Sequence, residues 1–282
     1  MLDTAPESDP MVLRFAQITT VGDRRSNQDA LGKVEQDGLA CFVLADGVGG
    51  QDGGEIAAGI AVRSILERFV QESSFSPRAL RSYVDYAIAQ VTQRRSQELH
   101  LQNMSTTVAV LLIDRSNQCA LWAHLGDTRI YLFRGNKIQS VTKDHSLVQQ
   151  FVDAGYCTPD EVRTHPQRNA LYAAIGQEGG TEPEVTQEMV GIQDGDAFLI
   201  CSDGLWESVT DTQMEQALAA SDSAEQWLSD MCRTADVMAP TAARMAAHPA
   251  SKARDNCTAF AITLREANAE NRRPAALAIS RR

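Results

Sequence analysis

An α+β fold is what this sequence predicts, and three observations lead there. Six short apolar runs rich in aliphatic, aromatic and β-branched residues read as strands, and two long segments carry apolar stripes at helical spacing. Neither an internal repeat nor an interdomain linker divides the chain, so both kinds of element belong to one domain.

The strand-like runs are residues 39–45 (LACFVLA), 107–113 (TVAVLLI), 119–125 (CALWAHL), 129–133 (RIYLF), 197–201 (AFLIC) and 258–264 (TAFAITL). Several are apolar at successive positions, the pattern of a strand buried on both faces. Between them, Ala58, Val62, Ile65, Leu66 and Phe69 fall on one helical face. A second helix opens at Ser76 and Pro77, a cap followed by a first-turn proline, and its stripe is Leu80, Val84, Ala87, Ile88 and Val91. Both stripes are expected to pack on a sheet. Residues 145–155 (HSLVQQFVDAG) read as a short helix closed by glycine, and residues 222–239 as a helix ended or interrupted by Pro240. The polar stretch 156–186 reads as an excursion beside a functional site. Residues 1–10 form a polar N-terminal tail, 11–265 the folded body and 266–282 an Arg-containing C-terminal tail; five arginines lie from Arg265 to the last residue.

At 282 residues, with an apolar share of 43% and a charged share of 22%, the chain has the composition of a folded globular protein. Its formal charge of −11 argues against a nucleic-acid binder, which needs clustered Lys and Arg, and most of this charge reads as solvated surface. Six cysteines are scattered without a CxxC pair and read as reduced thiols. No run approaches the ~20 apolar residues of a membrane span, and the first residues, MLDTAPESDP, are unlike a secretion signal. A cytoplasmic protein with no membrane partner is expected.

The informative residues are acidic side chains where apolar runs stop. Asp46 follows 39–45, Asp127 lies between 119–125 and 129–133, Asp203 follows 197–201, and Asp255 precedes 258–264. In an antiparallel arrangement, strand ends and neighbouring strand starts share a rim, so all four can meet. Four carboxylates at one rim would raise one another's pKa unless cations neutralised them. Ligands that are only oxygen suit Mg²⁺ or Mn²⁺ rather than zinc, and none of the five histidines has zinc-site spacing. Glycine follows two of the aspartates, as Asp46-Gly47 and Asp203-Gly204, leaving the backbone free to turn a carbonyl towards a metal. Alone, either pair is an ordinary turn; the joint placement favours a metal site. Arg24, in GDRRSNQDA, is able to hold phosphate oxygens in fork geometry, though taken alone it reads as a surface arginine.

In order along the chain stand RRSNQDA, ADGVGGQDGGEIAA, MSTTVAV, HLGDTRIYLF, KDHSLVQQFVDAG, HPQRNALYAAIG, CSDGLWE and RDNCTAF. With these motifs the sequence resembles the type 2C, or PPM, metal-dependent serine/threonine protein phosphatases, bacterial type, over roughly residues 15–264. The resemblance implies a four-layer α-β-β-α sandwich with two central antiparallel β-sheets flanked by helices. It implies hydrolysis of phosphoserine or phosphothreonine on proteins by a metal-bridged hydroxide. Asp46 would bridge two core Mn²⁺ or Mg²⁺ ions, Gly47 would give its carbonyl to the first, and Asp203 and Asp255 would bind the second. Asp127 would help hold a third, weaker ion, Asp29 would make an outer-sphere contact, and Arg24 would bind phosphate. Residues 156–186 correspond to the family's flap.

Three departures matter. Val48 stands where many eukaryotic relatives have a histidine, which leaves the proton donor open between a metal-bound water and His145. Gln28 replaces a glutamate common before Asp29, and residues 238–253 (MAPTAARMAAHPASKA) are longer and more Ala-rich than usual. Expected partners are phosphorylated proteins and a cognate serine/threonine kinase, with the chain itself a monomer. One alternative is a catalytically weak regulator of the same fold that binds phosphoproteins; retention of Arg24, Asp46, Asp203 and Asp255 weighs against it. Another is a hydrolase of small phosphate esters or nucleotides, but neither GxxxxGK[ST] nor a Rossmann-type GxGxxG is present, and no GxSxG supports a serine hydrolase.

Overall fold

The computed structural model describes residues 11–48, 53–177, 182–238 and 254–267. One sheet has five strands in the order β1 (Met11–Thr20), β11 (Cys257–Glu266), β10 (Ala197–Cys201), β6 (Arg129–Arg134) and β7 (Lys137–Val141). The other sets β2 (Asp29–Gln36), β3 (Leu39–Asp46), β4 (Val108–Asp114) and β5 (Cys119–Leu125) side by side, with β8 (Glu184–Val185) and β9 (Val190–Gly191) both paired to β5. Every pairing is antiparallel.

Side-chain alternation explains why the central strands read as unbroken apolar runs: each serves two cores. In β3, Leu39, Cys41, Val43 and Ala45 pack under α1 (Gly54–Glu72) and α2 (Pro77–Gln97), while Ala40, Phe42 and Leu44 face the second sheet. On that sheet Phe198, Ile200, Phe260 and Ile262 point inward, and Phe42 meets Phe260 edge to face at 5.2 Å. Leu199, Cys201, Ala259 and Ala261 point outward beneath α5 (Asp211–Ala220) and α6 (Ala224–Met238). The result is the α-β-β-α sandwich that the resemblance implies.

Local signals in the sequence set several boundaries. The Ser76 hydroxyl accepts the Ala79 N–H at 3.1 Å and Pro77 opens α2, as the sequence predicts. The helix α3 (Leu147–Asp153) is capped by Ser146, and Gly155 follows it at φ +77°. The polar excursion contains a 3-10 turn, Pro159–Thr164, and ends against β8. Pro240 and most of the Ala-rich stretch lie outside the described residues, as do the N-terminal tail and residues 268–282. The last strand runs to Glu266, one residue beyond the predicted body. None of the six cysteines is joined in a disulfide. No helix among the described residues is long and apolar enough to cross a membrane.

Candidate active site

A cleft of about 270 Å³ opens at one edge of the sandwich, and Arg24, Asp46, Gly47, Asp127, Asp203 and Asp255 all line it. The four aspartates come from both sheets. Asp46 ends β3, Asp127 sits in the turn that carries the chain from β5 across to β6, Asp203 opens the short helix α4 (Asp203–Trp206) after β10, and Asp255 precedes β11. The rim predicted from sequence is thus shared by two sheets rather than belonging to one.

Hydrogen bonds hold Asp46 and the Asp127 turn in place. The Asp46 N–H donates to Thr107 Oγ1 at 3.1 Å, and the Asp46 carbonyl accepts from the Thr107 N–H and the Thr106 hydroxyl, both at 2.8 Å. The Thr107 hydroxyl also meets that of Thr128 at 2.5 Å, tying β3 to the Asp127 turn. Trp206 Nε1 donates to the Asp127 carbonyl at 3.0 Å, and the Arg129 guanidinium lies 3.6 Å over the Trp206 ring while gripping Asp144 with two bonds, 2.8 and 2.7 Å. Glycine is required beside two ligands. A Cβ on Gly47 would stand 2.5 Å from the Gly54 carbonyl carbon, and one on Gly204 would stand 2.0 Å from the Asn256 backbone carbonyl oxygen. The Asp-Gly pairs therefore let chains approach closely as well as turn.

The predicted phosphate clamp lines the cleft, and the predicted outer-sphere carboxylate lies beside one of its ligand candidates. Arg24 Nη2 lies 2.5 Å from Asp255 Oδ2. Asp29 is the register partner of Asp46 and does not line the cleft itself. Its Oδ2 accepts from the Ser202 hydroxyl at 3.0 Å, while Oδ1 is buried with no hydrogen-bond partner, the one such side-chain atom among the described residues.

Crowding shows in the electrostatics. Burial first, then the charges of Asp29, Asp203 and Asp127, push the Asp46 carboxyl well above the usual carboxylate range. Burial and the charges of Asp127, Glu207 and Asp255 do the same to Asp203. Asp127 is pushed up to about 7, chiefly by burial and then by Asp144. Oxygen-only donors, mutual repulsion and the unpartnered Asp29 Oδ1 together fit hard divalent cations.

Two other groups bear on the chemistry. His145 is buried, its ring stacked on His124 at 4.6 Å, and its Nδ1 accepts the Gly126 N–H at 3.1 Å. Burial holds its pKa down at about 4, so the ring is neutral near neutral pH, and it does not line the cleft. Both observations weigh against it as the donor to the leaving oxygen. His124, His145 and Glu184 also form a cluster of metal-ligating types. The two imidazoles lie within 15° of parallel, so their in-plane lone pairs do not converge on one ion, and His124 Nε2 already bonds the Lys143 carbonyl at 2.7 Å. Residues that sequence reasoning gave no role, Thr107, Asn169, Leu171 and Asn256, line the cleft too. The motifs that contain them flag the segments, but a neutral polar side chain carries no charge signal to single it out.

An edge-of-sandwich cleft with clustered carboxylates and one guanidinium suits metal-dependent hydrolysis of phosphate esters. A protein-family model described as "Protein phosphatase 2C" matches residues 21–248. Protein phosphatase PhpP of Streptococcus pneumoniae serotype 2 is 32% identical over 213 residues, 74% of this chain and 85% of that protein. The serine/threonine phosphatase of S. agalactiae superposes with a TM-score of 0.75 at 25% identity, covering 89% of this chain and 99% of that one. The catalytic domain of serine/threonine protein phosphatase PstP, solved with two manganese ions, superposes with a TM-score of 0.72 at 27% identity, covering 90% and 99%. The chain belongs to the protein phosphatase 2C family, in its bacterial PPM branch. It is a metal-dependent protein serine/threonine phosphatase whose substrates are phosphorylated proteins.

Proposed function

We propose that phosphoserine and phosphothreonine are hydrolysed in this cleft with Asp46, the Gly47 carbonyl, Asp203 and Asp255 holding two Mn²⁺ or Mg²⁺ ions. The observation that carries the assignment is the convergence of Asp46, Asp127, Asp203 and Asp255 from both sheets on one cleft with Arg24 beside them. Such ions, when bound, lower the pKa of a water and neutralise phosphoryl charge. The protein's own part is orientation. Thr106 and Thr107 hold the Asp46 backbone, so its carboxylate faces the cleft without reorganising. The unpartnered oxygen of Asp29, behind Asp46, suits an outer-sphere water. Arg24 is placed to bind two phosphate oxygens in fork geometry and to orient the phosphoryl group for in-line attack. Asp127 is the candidate for a third, weaker ion. With Val48 in the cleft and His145 outside it, the leaving oxygen takes its proton from solvent in the cation-filled cleft.

The same reading assigns residues 11–265 to the phosphatase domain, with 156–186 as a flap over the cleft and polar tails on either side. It makes the enzyme a cytoplasmic monomer that reverses a cognate serine/threonine kinase. The deciding experiment is turnover of a phosphothreonine peptide by purified protein with and without Mn²⁺, beside Asp203→Asn. Activity should need the metal and fall by about 100-fold or more in the variant, the scale of losing a preorganised charge. Metal-independent turnover would sink the assignment, and metal binding without any turnover would favour a phosphoprotein-binding role.

A further inference from the structure

The loop that carries Arg24 is largely exposed, and residues 254–256, from the far end of the sequence, fasten it, with Asn256 reaching furthest along it. Asn256 is 5% exposed, and its carboxamide uses both amide hydrogens and its oxygen on that loop. Nδ2 donates to the Val21 carbonyl at 2.9 Å and to the Ser26 carbonyl at 3.0 Å, while Oδ1 accepts the Gln28 N–H at 2.8 Å. Two carbonyls on one side and an N–H on the other leave only one orientation for the amide. The three bonds fall on both sides of Arg24, and the Val21 carbonyl also takes the Arg24 N–H at 3.3 Å. Gly22, at φ +60°, lies so close that a Cβ would meet the Asp255 carbonyl oxygen at 2.2 Å. The outer fastening joins Asp23 to Arg254: the Asp23 N–H donates to the Arg254 carbonyl and the Arg254 N–H to Asp23 Oδ2, both at 3.0 Å, while the ion pair between their side chains, 34% and 47% exposed, adds little; none of these bonds reaches past Asp23 to the far side of Arg24.

We propose that Asn256 is a positioning residue for substrate phosphate: it acts through the loop at residues 21–28 to set the Arg24 guanidinium beside the metal-binding aspartates. This rests on the reading of Arg24 as the phosphate clamp. Asn256 adjoins Asp255 in sequence, yet its side chain bonds only the arginine loop, so its removal is felt in phosphate binding before metal binding.

The test uses the full chain saturated with Mn²⁺ and four proteins: wild type, Arg24→Ala, Asn256→Ala and the double variant. Asn256→Ala should raise KM for a phosphothreonine peptide and Ki for inorganic phosphate together by about tenfold, with the Mn²⁺ dissociation constant from calorimetry moving less than about threefold. Because both changes act on one contact, the double variant should be no worse than Arg24→Ala, a complete failure of additivity. Multiplying effects in the double variant, or a loss of Mn²⁺ affinity as large as the rise in Ki, would overturn the proposal. If Arg24→Ala alone leaves KM and Ki unchanged, the clamp reading fails first and the two failures are told apart. Should Asn256→Ala not fold by thermal melt, Asn256→Ser keeps one donor and should show a smaller rise in Ki, which the double-variant comparison reads in the same way.

Discussion

His145 is held neutral by where its ring lies. Burial lowers its pKa first and the neighbouring His124 adds to the effect, while Glu184 and Asp144 pull the other way, leaving about 4 against an ordinary 6.5. Between those values the unfolded chain binds more protons than the folded one, so this residue makes stability rise with pH across the window. Its full benefit is present above about 6.5 and is lost as pH falls towards 4. Urea unfolding of metal-free protein should show His145→Gln losing about 2 kcal/mol less than wild type between pH 6.5 and 4.5; parallel pH profiles would sink the assignment. Gly126, whose N–H caps that imidazole, sits at φ +112° with Thr107 Cγ2 only 2.5 Å from where a Cβ would stand. Gly126→Ala combines backbone strain with overpacking and should cost about 2–5 kcal/mol in the same assay. At this scale the sequence reveals charges and little else. Asp46, Asp127, Asp203 and Asp255 stand out because carboxylates seldom end apolar runs without cause, whereas Thr107 and Asn256 are ordinary residues whose roles depend on what lies across the fold.

Among elements, legibility follows position in the sheet. The runs read from sequence became β3, β4, β5, β6, β10 and β11, each with neighbours on both sides. Those the sequence reading passed over, β1, β2, β7, β8 and β9, lie at sheet margins. The physical reason is exposure: β7 alternates exposed and half-buried residues and β2 is only partly covered throughout, so neither forms a continuous apolar run. Two-residue strands such as β8 carry no periodicity at all. The excursion at 156–186 was visible as polar chain, but its anchorage was not. Arg163 donates to the Val209 carbonyl and pairs with Asp211, and Arg168 pairs with Glu207 at 2.7 Å, one turn after Asp203. These contacts hold Asn169 and Leu171 at the cleft wall. Both partners of the Arg168 pair are largely covered, so Arg168→Ala should destabilise by about 1–2 kcal/mol, between an exposed and a buried pair. Hydrogen exchange should quicken across residues 165–175 and stay unchanged in β3 and β4. Uniform change across the molecule would mean that the pair supports the global fold and not this segment.

At the scale of the whole molecule, the active site exists because two sheets end together. The family motifs conveyed the sandwich; the residues alone gave strands, helices and a rim, without showing that the rim draws on both layers. This origin has a thermodynamic consequence. The fold forces Asp29, Asp46, Asp127 and Asp203 together, and their carboxyls titrate above the ordinary range. A carboxyl whose folded pKa is raised destabilises the fold once pH exceeds its unfolded value, and Asp127, at about 7, is still losing its proton near neutrality. Above pH 6.5 the histidine contribution is flat, so the aspartates decide the trend. In calorimetry with chelator, the protein should melt lower at pH 8 than at pH 6.5, and Asp203→Asn should melt higher than wild type at pH 8 because one crowded charge is gone. Mn²⁺ should reverse the ranking. At 100 times its dissociation constant a single bound ion adds about 2.7 kcal/mol, roughly 5–10 °C for a domain of this size. Wild type should gain such a shift for each of two ions at pH 8, and Asp203→Asn should gain less, because the ion that Asp203 would hold is lost. A wild-type melting temperature indifferent to Mn²⁺ would mean that the clustered carboxylates are stabilised by something other than a cation, and the two-ion assignment would fall with that result.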